Sequence, residues 1–133
     1  MNYGHGYNNR RSAGKYNAKK TKVDGIVFDS LKEANRYKEL RLLQRAGEIA
    51  GLEMQYKFEI IPEHREADTI GPRGGRKKGK IIEPARYYVA DFYYMDCETG
   101  EWIVEDVKGF KTQEYKLKKA LMYDRYKIRI RET

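Results

Sequence analysis

The chain has 133 residues, a single cysteine, and 28 Lys and Arg against 20 Asp and Glu, which gives a net charge of +8 and a pI near 9.5. That length supports one domain with its own core, and the lone Cys97 excludes an intramolecular disulfide. No apolar run approaches the roughly 20 residues of a membrane span, so a soluble protein of a reducing cytoplasm is expected.

The basic balance points to a polyanionic partner, because phosphate contacts release condensed counterions, but it leaves the chemistry open. Residues 1–20 (MNYGHGYNNRRSAGKYNAKK) are rich in Gly, Asn and basic side chains and lack apolar periodicity. They read as a mobile basic arm, with Arg10, Arg11, Lys19 and Lys20 available to phosphate. His5 has no second His or Cys at ligand spacing and is not taken as a metal ligand. Residues 21–133 read as one domain.

Gly25-Ile26-Val27-Phe28 forms a short strand or an extended lead-in. Ser30-Leu31-Lys32-Glu33 is then a capping box, and Leu31, Ala34, Tyr37 or Lys38, Leu40 and Leu43 recur at helical spacing up to a stop at Gly47. From Leu52 to Ile60 the period becomes two: Leu52, Met54, Tyr56, Phe58 and Ile60 are expected to face one way, with Glu53, Gln55, Lys57 and Glu59 opposite, until Pro62. The loop of residues 63–84 has no apolar period and holds Arg73, Arg76, Lys77, Lys78 and Lys80. It reads either as a flap or hairpin touching phosphates or as a solvated insertion.

Arg86–Met95 and Trp102–Lys108 form a hairpin about the turn Glu98–Glu101, and Gly109 breaks its second strand. Thr112 or a neighbour caps a helix to about Tyr126, packed through Tyr115, Leu117 or Lys118, Leu121 and Met122. Lys127–Arg131 is a short last strand. Strand packing is the favoured use of the 12 tyrosines, ahead of base stacking.

Within the hairpin, Asp91 interrupts an apolar and aromatic strand, where an unpartnered carboxylate is expensive. On its partner, Trp102, Val104, Asp106 and Lys108 share one face, and Ile103, Glu105 and Val107 share the other. Asp91 and Asp106 converging make a hard oxygen site suited to Mg²⁺ or Mn²⁺, to which the Val107 carbonyl can add. Lys108 beside it can act on water and on transition-state charge. Glu105 is the competing carboxylate, but on a regular strand it points away from Lys108, so Asp106 is preferred. The bland alternative is a cross-strand Asp91–Lys108 ion pair.

The order helix, three strands, helix, strand, together with Asp91 and Asp106-Val107-Lys108, resembles the PD-(D/E)XK nuclease superfamily. It is most similar to small phage and prophage nucleases described as Holliday-junction-resolvase-like. The segments that carry the resemblance are Lys15–Thr21, Asp24–Ser30 leading into Glu33, Tyr37 and Leu40, Gly47-Glu48-Ile49, Gln55, Tyr88–Phe92 and Val104–Gly109. Ala90 replaces the proline of the superfamily's name, and the basic insertion before Ile81 has no counterpart to carry over. The resemblance implies an α/β (α+β) fold with a restriction-endonuclease-like αβββαβ core, a mixed sheet flanked by helices. It also implies hydrolysis of DNA to 5′-phosphate and 3′-hydroxyl ends, branched DNA as substrate, a homodimer, and a phage or prophage protein in a bacterial cytoplasm. By position, Glu33 completes the metal site, although it also stands where a capping box bonds back to Ser30. Gln55 lines the site or is an exposed amide, and Lys118 or Lys119 reaches a phosphate or is merely solvated. The rival readings are a non-catalytic nucleic-acid-binding protein on the same scaffold and a basic RNA-associated protein.

Overall fold

A capped helix opens the core. The Ser30 hydroxyl accepts from the Glu33 N–H at 3.1 Å, and α1 (Leu31–Arg45) follows. It ends as a Schellman motif: Glu48 N–H bonds Leu43 O, Gly47 N–H bonds Gln44 O, and Gly47 takes a φ of 78°. This computed structural model describes residues 19–133. Most of the expected basic arm, with Arg10 and Arg11, therefore lies outside the described residues, and Lys19 and Lys20 are exposed. Before α1, β1 (Thr21–Val23) and β2 (Ile26–Phe28) pair antiparallel about Asp24-Gly25, both at positive φ.

The fold is mixed α and β. Its sheet has the strand order β10 (Arg131–Glu132), β9 (Trp102–Asp106), β8 (Arg86–Asp96), β3 (Ile49–Ile61), with β10 parallel to β9 and the other pairs antiparallel. One core joins α1, through Ala34, Tyr37 and Leu40, to Phe92, Tyr94 and Val107. A second joins α2 (Gln113–Tyr126), through Tyr115 and Met122, to Phe58, Tyr88 and Val104. Among the described residues no helix is long and apolar enough to cross a membrane.

The expected single face of β3 is corrected. Leu52 and Met54 pack with the α1 core, whereas Tyr56, Phe58 and Ile60 pack with the α2 core. The change occurs at Gln55, whose φ of 54° breaks the alternation. β8 changes face at the same level: Tyr88 and Ala90 belong to the α2 core, Phe92 and Tyr94 to the α1 core, and Asp91 stands between them. Three other expectations shift. Leu31 is exposed, because it lies on the opening turn beyond the sheet, and of the pair Leu117 or Lys118 it is Leu117 that faces solvent while Lys118 is half-buried. β9 stops at Asp106 rather than Lys108, since its ladder with β8 ends at Glu105 and its pairing with β10 at Asp106. The last strand is Arg131–Glu132 and not Lys127–Arg131, because left-handed Lys127 terminates α2 and Ile128 and Ile130 fill the core first.

The basic loop is a hairpin, not an irregular insertion. β4 (His64–Arg65) pairs with β7 (Ile81–Glu83), and β5 (Thr69–Ile70) pairs with β6 (Arg76–Lys77).

Candidate active site

The β8–β9 ladder runs from Met95–Trp102 to Phe92–Glu105 and then opens. Asp91 and Asp106 are the first residues beyond the last pair, so both carboxylates stand in the crotch of a fork. The Val107 N–H, released from the ladder, donates to Asp91 Oδ2 at 2.8 Å. Lys108 N–H and Thr133 N–H bond Thr133 O and Asp106 O, which holds the other branch of the fork against the chain's last residues. Tyr88 OH donates to Asp106 Oδ2 at 2.5 Å. Lys108 Nζ stands 2.9 Å from Asp106 Oδ1 and 4.2 Å from the centre of the Tyr115 ring. A cleft of about 210 Å³ opens here, between Asp106, Lys108, Tyr115 and Lys118.

Strand parity separates the two neighbouring acids as expected. Glu105 is fully buried on the α1 side, where Arg36 Nε and NH2 donate to its two oxygens at 2.8 Å each and Tyr94 OH donates to one of them at 2.8 Å. Its acceptor capacity is largely used. Asp106 faces the cleft with Oδ1 lacking any hydrogen bond, because the Lys108 ammonium approaches at ion-pair distance without hydrogen-bond geometry. Buried carboxylate oxygens are normally hydrogen-bonded, so one whose single close partner is an ammonium, beside a second carboxylate, suits a cation.

The electrostatics agree. Burial, then the adjacent Asp106 carboxylate, pushes Asp91 up to about 8. Glu33 is also raised, by burial first and then by Asp29, with Asp106 adding a smaller push. Repulsion among acids in a partly desolvated crotch is relieved by a bound cation, and the donors are hard oxygens suited to Mg²⁺ or Mn²⁺. Asp91 and Asp106 would hold such an ion. Among the described residues no three acidic, His or Cys side chains already enclose one.

Glu33 lines the adjoining cleft with Val107, Gly109 and Thr112, and its backbone N–H is the one the Ser30 cap uses. Gln55 Nε2 makes a long contact of 3.5 Å to Asp91 Oδ1, so the residue that bends β3 also touches the site. Lys118 lines the cleft but is paired with Glu114 at 3.1 Å, and Lys119 is drawn away to Glu132. Arg73, Arg76, Lys77, Lys78 and Lys80 are exposed on the hairpin and do not line the cleft. Sequence reasoning missed Tyr88 and Tyr115. Both hydroxyls are pushed upward by burial first and then by Asp106, so they remain protonated, and the Tyr115 hydroxyl is buried without a partner. Only their aromatic character marked them, and that is equally the mark of core packing.

One family model, "Protein of unknown function (DUF1064)", matches residues 13–132. Comparison with curated proteins and with solved structures gives no match.

Proposed function

The chain belongs to the DUF1064 family, and from the chemistry of its fork we propose that it is a Mg²⁺- or Mn²⁺-dependent endodeoxyribonuclease of the PD-(D/E)XK type. The observation that carries this reading is the Asp91–Asp106 carboxylate pair, with a buried Asp106 oxygen that makes no hydrogen bond and has Lys108 2.9 Å away. The arrangement α1, β3, β8, β9, α2, β10 is compatible with the αβββαβ core of that superfamily. Asp91, Asp106 and Glu33 bind the metal, with the Val107 carbonyl as a further donor. When bound, the metal supplies Lewis acidity and a more acidic water.

The chain's own groups do the rest. Lys108 orients the attacking water and offsets negative charge as the phosphorus becomes five-coordinate. Tyr88 fixes the Asp106 carboxylate, and the Val107 N–H fixes that of Asp91, so neither must be ordered at the moment of reaction. The net charge of +8 favours a polyanionic partner, and the superfamily reading makes that partner DNA. Branched DNA, such as a four-way junction, is the proposed substrate, and paired nicks across a junction call for a homodimer.

The test incubates the protein with Mg²⁺ or Mn²⁺ and end-labelled junction, flap, duplex and single-stranded DNA, beside Asp106→Ala. Cleavage by the wild type alone supports the reading. Binding without cleavage of any substrate under either metal overturns it in favour of a non-catalytic DNA-binding protein. Cleavage that survives Asp106→Ala overturns the site.

A further inference from the structure

β3 and β8 do not end at the sheet. The pairings Tyr56–Ala90, Arg65–Ile81 and Ile70–Arg76 belong to one register that continues, with small shifts, from the fork to a turn at Gly71–Gly75. The result is one antiparallel arm. From Asp91 to Arg76 it spans 15 positions, on the order of 45 Å at the usual rise per strand residue and less where it bends.

The arm is braced internally. Asp68 Oδ2 meets Arg76 Nε at 2.6 Å, Asp68 Oδ1 accepts from Gly79 N–H at 2.9 Å, and Arg65 NH1 donates to Gly79 O at 2.9 Å. The turn closes through Gly71 N–H to Gly75 O at 2.7 Å. A purely solvated insertion has no need of such bracing. The outer part, Thr69–Lys80, carries Arg73, Arg76, Lys77, Lys78 and Lys80 and no acid. Of these, Arg73, Lys77, Lys78 and Lys80 form no ion pair among the described residues. At the very end Ile70 is 81% exposed next to Gly71-Pro72, a bare apolar tip ringed by cations.

We propose that this arm is a DNA-bending device: its glycine-rich tip enters the minor groove of duplex DNA, the surrounding Lys and Arg hold the flanking phosphates, and Ile70 with Pro72 wedges a base step open. Two paired backbones about 4.8 Å apart overfill a relaxed minor groove of about 6 Å, so the tip enters as its apolar residues prise the groove open, and such wedges kink the duplex. The contact falls about one helical turn from a phosphate seated at the fork, given the arm's reach and the roughly 34 Å repeat of DNA. This use of the arm assumes the DNA partner proposed above but not the hydrolysis.

The experiment measures binding and end-to-end fluorescence transfer on a doubly labelled duplex in EDTA, with the full chain and two surface variants. Arg73→Gln/Lys77→Gln/Lys78→Gln is expected to lose at least tenfold in affinity at 0.1 M salt and to flatten the log–log salt slope by roughly 2 to 3, one counterion per removed contact. Ile70→Ser is expected to keep the slope and lose the bend. A minor-groove ligand such as netropsin should compete with the wild type. Wild-type affinity and bending in both variants overturn the proposal, as does equal arm-dependent binding of an A-form RNA duplex. Arm-dependent bending without cleavage in Mg²⁺ supports the arm while sinking the nuclease reading; cleavage with arm-independent binding does the reverse.

Discussion

Asp91 pays for its position. A carboxyl pushed up to about 8 by burial and a neighbouring acid must take up a proton as the chain folds, so between its ordinary value and about pH 8 it costs the metal-free protein more stability as pH rises. Asp91→Asn keeps an oxygen to accept from Val107 N–H and, being neutral in both states, removes this cost at pH 7. The variant should melt about 3–5 °C higher than the wild type without metal, the shift that roughly 1 kcal/mol gives a domain of this size. It should also lose the extra stabilisation that Mg²⁺ confers and about a thousandfold in cleavage. A melting point lowered by the change would remove the repulsion account. Glu105 next door behaves oppositely. Glu105→Gln breaks a bidentate pair with Arg36 at a fully buried carboxylate, so unfolding in urea should show a loss of about 3 kcal/mol, with cleavage kept at a temperature where the fold persists. Abolished cleavage with unchanged stability would exchange the roles of Glu105 and Asp106.

At the scale of elements, the arm and the fork respond to different changes. A Cβ on Gly79 would lie 1.8 Å from Glu66 O, so no side chain fits where the two arm strands approach. Gly79→Ala should open the arm to limited proteolysis within residues 63–84, while the melting of the sheet and helices changes by less than about 1 kcal/mol, as expected of a locally unfolding unit. Loss of the whole fold would mean that the arm is part of the core.

Both helices, the two caps of α1 and the hairpin around Asp91 were legible in the sequence, because a capping box, Gly47 and strand alternation are local signals. The parity argument that set Asp106 apart from Glu105 needed only period two. The flip at Gln55 was not legible: a non-glycine residue at positive φ leaves no compositional trace, and the five apolar residues around it kept perfect alternation. Lys127 escaped in the same way. The sequence of the arm allows a hairpin, yet its continuity with β3 and β8 is a matter of register between residues far apart in sequence. Tyr88 and Tyr115 became site residues only once the fork placed Asp106 between them.

For the whole molecule, the last strand ties the fork to the C-terminal segment. Glu132 pairs with Lys111 at 2.7 Å and with Lys119, and its carboxyl is held below the usual range first by Lys111 and then by Lys119. A carboxylate depressed on folding stabilises above its unfolded pKa, and the contribution fades as pH falls through the folded value. Thermal melts from pH 6 down to pH 3 should therefore show a steeper acid loss for the wild type than for Glu132→Gln, with the two curves converging at the acid end. Parallel curves would mean that these ion pairs contribute nothing to folding.

The continuous register from the fork to Ile70 also constrains how this chain can vary. An insertion of one residue in one strand of the arm would turn every side chain beyond it to the opposite face, unless a bulge absorbed it. Length changes that preserve the arm's pairing must come as matched residues on both strands or collect in the Gly71–Gly75 turn. Relatives with arms of unequal length should thus differ by even numbers of residues outside the turn, a parity rule that an aligned set of their sequences can test without a structure.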